Sequence, residues 1–301
     1  MSHNCDFLQW HSAGLDATLL WRWHSLPSGQ PEVILEPLPR SPMDTIIAAA
    51  PFASSLFLGM LVCLEIGRRM GIRALARDPE GAMSGLGAVE GAVFALYGLL
   101  IAFTFSGAPS RFDTRRQLIA EEANAIGTAY LRLDLLAADS QPALRELFRK
   151  YLDSRLAVYR KLPDIEAAKA ELSRSEELQR EIWAKATDAT RSPDSHPDAA
   201  KLLLPALNQM IDITTTRTMA ARIHPPLIIF GLLFVLALLC SLLAGFGMAG
   251  SKQRSWLHIL AFAAITVISV YVILDIEYPR AGLIRLDAYD QVLVELRETM
   301  K

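Results

Sequence analysis

Apolar positions gather along this chain in four blocks, running roughly from Thr45 to Ile66, Ala88 to Ser106, Leu227 to Phe246 and Trp256 to Leu274. Each is close to the ~20 residues that a helix needs to cross a hydrocarbon core about 30 Å thick. The third block has no charged residue and the fourth only His258 near its start, so neither offers a face suited to water. The pattern therefore predicts four transmembrane helices. Glu90, near the start of the second, is placed to reach the headgroups.

Between the second and third blocks the pattern changes to apolar stripes at helical spacing, interrupted by prolines. It predicts helices over roughly 109–137, 141–161, 164–190 and 200–222, broken near Pro142, Pro163 and the run from Pro193 to Pro197. On the first, Phe112, Ile119, Ala123, Ile126, Tyr130 and Leu133 form a stripe that needs partner helices. No break separates this helix from the second span, so Gly87 to Leu136 reads as one rod of about 75 Å, weakened at Pro109. Gly87 and Gly91 have the GxxxG spacing that permits close packing of spans.

A second line on the rod changes character where the apolar block ends. Leu96, Leu100 and Phe103 give way to Gly107, Ser110, Thr114, Gln117, Glu121, Asn124 and Thr128. In a ring of identical chains this line would form a hydrophobic neck followed by a wet vestibule lined by Glu121, Asn124 and Thr128. In a solitary chain the same polar residues would instead hydrogen-bond neighbouring helices.

Composition sharpens this picture. The chain of 301 residues is 52% hydrophobic and 21% charged, and 18 of its 30 Lys and Arg and 17 of its 32 Asp and Glu lie between Gly107 and His224. Five units follow: a Trp- and Pro-rich extension over 1–42, a span pair over 43–106, a helical extramembrane domain over 107–224, a second span pair over 225–276 and a tail over 277–301. The extension lacks the layout of a signal peptide; it reads as a disordered tail or as sequence preceding a start at Met43. A net charge of −2 leaves no basic excess for a nucleic-acid partner. Lys and Arg near the span ends number six on one side and eight on the other, too even to orient the chain.

The sequence has no GxSxG elbow, HExxH pair or P-loop, and no His or Cys at metal-ligand spacing. Glu121 and Glu122 are adjacent, so on a helix they point about 100° apart and cannot form a carboxylate dyad by themselves. No enzymatic activity, cofactor or metal is expected.

Three segments carry a resemblance: LLIAFTFSGAPSRFDTRRQLIAEEANAIGTAY from Leu99, ALNQMIDITTTR from Ala206 and DIEYPRAGLIR from Asp275. Together they resemble the bestrophin-like membrane domain family of bacteria and plants, named for similarity to the bestrophins, pentameric ion channels. Phe103, Ala108 and the Arg111–Phe112 pair are similar to the end of the bestrophin second span, and Asp275, Glu277 and Pro279 to the acidic run after the last. The resemblance implies an all-α, four-span fold with a helical domain between the second and third spans, facing the cytoplasm of a cell membrane. It makes Phe103 the aromatic of the neck, with Leu99 and Ala95 one and two turns before it. The tail after Pro279 is too short to form the bestrophins' acidic calcium clasp. The expected protein is a homo-oligomer, a pentamer by the resemblance, in contact with lipid and passing small inorganic ions. The alternative is a non-conducting scaffold or sensor whose helical domain binds a partner.

Overall fold

The computed structural model describes residues 42–80, 85–161, 164–251, 255–280 and 283–300. The extension expected over 1–42 lies, but for Pro42, outside them. Among the described residues eight α-helices follow in order: α1 (Pro42–Arg77), α2 (Leu86–Leu131), α3 (Gln141–Arg160), α4 (Ile165–Ala189), α5 (Ala199–Arg222), α6 (Leu227–Gly247), α7 (Trp256–Glu277) and α8 (Gln291–Thr299). Among the described residues there is no strand. Four helical stretches, Pro51–Arg77, Leu86–Leu135, Ala199–Gly250 and Trp256–Glu277, are long and apolar enough to cross a membrane. The chain is a multi-pass membrane protein of all-α fold.

The first span is longer than its apolar block. Arg68, Arg69, Arg73 and Arg77, past the end of that block, ride on the last turns of α1. Helix α2 runs uninterrupted through Pro109 and ends at Leu131, about 69 Å from its start, where a 3₁₀ turn over Arg132–Leu135 follows. Its N-terminus is set by Gly85, whose φ of 74° lies in the left-handed region that glycine adopts without a Cβ clash.

Membrane-depth packing joins α1, α2, α6 and α7. Leu56 and Met60 from α1, Tyr97 from α2, Leu233, Ala237 and Cys240 from α6, and Ala263 and Val270 from α7 form one buried cluster. Helices α1 and α6 come closest, and glycines are the reason. A Cβ at Gly67 would collide with the Leu242 carbonyl, and one at Gly245 with the Leu64 carbonyl. At Gly87 and Gly91, by contrast, a Cβ would meet nothing within 4 Å. The GxxxG pair therefore packs no span within the chain, because it faces outward.

Beyond the bundle, the far half of α2 packs with α3, α4, α5 and α8. Ile119, Ala123, Ile126, Tyr130 and Leu133 are buried as their spacing predicts, with Phe148, Tyr151 and Leu152 from α3 and Leu203, Leu207 and Met210 from α5. Asp164 caps α4 by accepting the Ala167 amide at 3.0 Å, and Pro142 occupies the first turn of α3, where no amide is needed. The stretch after α7, read from sequence as a plain tail, carries α8, whose Leu293 is buried in this core.

Candidate functional site

The face of α2 that the rest of the chain leaves uncovered is built by helical period. Phe103 and Glu121 lie eighteen residues apart, about five full turns, so they fall on one line along the rod. Ala95, Leu99, Ser110, Thr114, Gln117, Asn124 and Thr128 lie on or beside that line, and all are exposed. Leu99 is 52% exposed and Phe103 68%, and the apolar stretch of α2 is the least covered of the four spans. Along the line the side chains are apolar to Phe103 and polar afterwards. From Ala95 to Thr128 the strip extends about 50 Å.

The expected neck residues and the expected vestibule residues thus share one open face. Glu121 accepts a hydrogen bond from Gln117 Nε2 on its own helix at 2.7 Å, rather than joining a neighbouring helix.

What fixes the rotation of α2 is a second line about 100° around the rod, formed by Arg111, Arg115 and Glu122. Arg111 Nε donates to Glu277 of α7 at 2.8 Å. Arg115 donates to three backbone carbonyls, those of Ala220 at 3.2 Å, Ile223 at 2.7 Å and Glu277 at 2.8 Å. These bonds tie α2 to the end of α5, to the link before α6 and to the end of α7. Rotating the rod by one residue to present Arg111 on the open face would break them.

Glu122 completes the line and is fully buried. It accepts from Arg155 Nε of α3 at 2.6 Å and from Arg217 Nη1 of α5. Arg217 also pairs with Asp290 at 2.6 Å and lies 3.9 Å from the Tyr159 ring centroid, and Arg280 covers the same ring at 4.4 Å. Burial disfavours the charge on Arg155, but Tyr159 and Glu122 outweigh it and hold its guanidinium above the ordinary range. Beside this network Tyr151, Thr214 and Gln179 bond one another at 2.9 to 3.1 Å, and burial pushes the Tyr151 phenol up to about 12, so it remains a donor.

Sequence reasoning singles out none of Arg115, Arg155 and Arg217, names Glu122 only as the neighbour of Glu121, and names Glu277 only within the acidic run of the resemblance. The signal available for Glu122 was its place among Ile119, Ala123 and Ile126, a charge on an apolar stripe. The acidic run, which the structure places in the last turn of α7, also has a structural use: Asp275 accepts the amides of Leu283 and Ile284 at 2.8 and 2.9 Å, folding the chain back after the span. Among the described residues no group of His, Cys, Asp and Glu is arranged to hold a metal ion.

The profile of the Bestrophin-like domain family matches residues 72–288. Among solved structures, a bacterial bestrophin homologue from Klebsiella pneumoniae carrying an isoleucine-to-threonine substitution is similar at 15% identity. That match covers 81% of this chain and 99% of the other, with a TM-score of 0.61. A leucine-to-threonine variant of the same homologue gives 14% identity, 82% and 98% coverage and a TM-score of 0.60. A structure described as a membrane protein with a proline-to-alanine substitution gives 14%, 82%, 98% and 0.59. At these identities the likeness is one of fold. No curated protein matches the sequence.

Proposed function

From the premise that the chain belongs to the Bestrophin-like domain family, we propose that it is an ion channel, a ring of identical subunits with α2 of each facing the axis. The observation that carries this reading is the uncovered strip on α2, apolar from Ala95 to Phe103 and polar from Ser110 to Thr128. Glu121, Asn124 and Thr128 continue the line of Leu99 and Phe103 without a change of face. Around a closed symmetry axis both halves are used: the apolar half as a neck that empties of water unless widened, the polar half as a hydrated vestibule.

In this reading Leu99 and Phe103 form the constriction, with Ala95 at its entrance, and Glu121, Asn124 and Thr128 line the vestibule. On the same helix, Arg111 is engaged by Glu277 and Arg116 by Asp113 at 3.1 Å, and the partner of Glu121 is the neutral Gln117. A ring of Glu121 carboxylates therefore raises the local concentration of cations. Five subunits, a cell-membrane location and a cytoplasmic helical domain come from family likeness. No catalytic group or cofactor enters the proposal.

Purified protein reconstituted into liposomes tests it. Wild type is expected to pass small ions slowly and Phe103→Ala several-fold faster, since removing the ring lets water stay in the neck. No flux from either protein overturns the reading. It would favour the scaffold alternative, in which the helical domain binds a partner.

A further inference from the structure

At the end of the bundle away from the helical domain, a cavity of about 730 Å³ opens between α1, the end of α6 and the start of α7. Topology fixes its depth. Helix α2 enters from this side and leaves through the helical domain, so the last turns of α1, the end of α6 and the start of α7 lie at the opposite bilayer surface. The inner wall carries Leu61 and Leu64 of α1 and Ile259 of α7; the charged and titratable lining is Glu65, Arg68, Arg69 and His258. Its floor is stiff, because α1 and α6 meet there through Gly67 and Gly245 at backbone distance.

Among the described residues of the lining, two arginines stand against the one carboxylate of Glu65. Arg69 is engaged by Glu65 at 2.8 Å, one turn before it. Arg68 is half-buried and, among the described residues, has no carboxylate partner. A guanidinium in that position is a planar, always charged donor whose geometry matches two oxygens of a phosphate. Trp256 lines the cavity at the first residue of α7, the level at which an indole ring sits between headgroup and hydrocarbon.

We propose that this cavity is a binding site for an anionic glycerophospholipid, its phosphate held by Arg68 and its upper acyl chains lying against Leu61, Leu64 and Ile259. A cationic mouth over an apolar wall at bilayer depth is complementary to a molecule carrying a phosphate on two hydrocarbon chains, and a free anion would leave the apolar wall unused. The site concerns another end of the molecule from the α2 strip and stands whether or not the protein conducts.

The test uses the full chain in a neutral detergent and follows the thermal unfolding midpoint. Dioleoylphosphatidylglycerol is expected to raise the midpoint saturably by several degrees, while dioleoylphosphatidylcholine and inorganic phosphate leave it in place. Arg68→Gln should lose the increase, Arg68→Lys keep part of it, and Arg73→Gln, on the same helix outside the cavity, keep it all. Inorganic phosphate acting as well as the lipid overturns the assignment in favour of a soluble anion, and so does an undiminished increase in Arg68→Gln. Should Arg68→Gln not fold, native mass spectrometry of wild type and Trp256→Leu decides. Preferential retention of phosphatidylglycerol that falls in the variant supports the site, and equal retention of both lipids refutes it.

Discussion

Glu121 and Glu122 are neighbours in sequence with opposite fates, and the 100° between successive helical positions is the cause. Glu121 points to the open face and Glu122 into a fully buried bridge between Arg155 and Arg217. Removing Glu122 leaves the buried Arg155 without its carboxylate and Arg217 with Asp290 alone, so Glu122→Leu is expected to destabilise the protein by about 3–5 kcal/mol. A drop in thermal unfolding midpoint far larger than that of Glu121→Leu would bear this out, and equal drops would refute it. Tyr151→Phe removes one donor from a buried hydrogen-bonded trio and should cost about 1–2 kcal/mol by the same measurement. Glu121→Gln should leave stability almost unchanged and act on selectivity: across a KCl gradient in liposomes, the reversal potential should move toward zero. An unchanged reversal potential would remove Glu121 from the pathway.

At the scale of elements, the contact between α1 and α6 decides how the spans assemble. Gly67→Val and Gly245→Val each place side-chain atoms where a carbonyl of the facing helix stands, so both should yield little folded protein in detergent, read as loss of a monodisperse peak in size-exclusion chromatography. Gly87→Ala and Gly91→Ala meet open space and should give the wild-type profile. Sequence alone drew attention to the second pair, because its spacing matches a known packing motif. Spacing says which glycines share a face but not which face has a neighbour. The same difference separates the helices read correctly from the helix missed. The spans and the four polar helices were legible because each has a long period of its own, whereas α8 has only nine residues. Its apolar positions acquire meaning once Leu293 has a core to enter.

For the whole molecule, the proposed channel makes the open face of α2 a surface shared with copies of this chain. A channel whose axis is lined by α2 requires a closed ring, and mass measurement of the detergent-solubilised protein is expected to give five subunits; a monomer would leave the strip with no axis to face. By itself the sequence determined the four spans, the polar helical insert and the apolar-to-polar change along one line of α2. These follow from the transfer free energy of each segment and the 3.6-residue period, both local properties. Tertiary structure alone decided which way that line faces. The rotation of α2 is held by Glu122 with Arg155, Arg115 with the carbonyls of Ala220 and Ile223, and Arg111 with Glu277, partners 33 to 166 residues away in sequence. A buried charge is tolerated only where its counter-charges arrive from other helices, and a single sequence does not state which helices those will be.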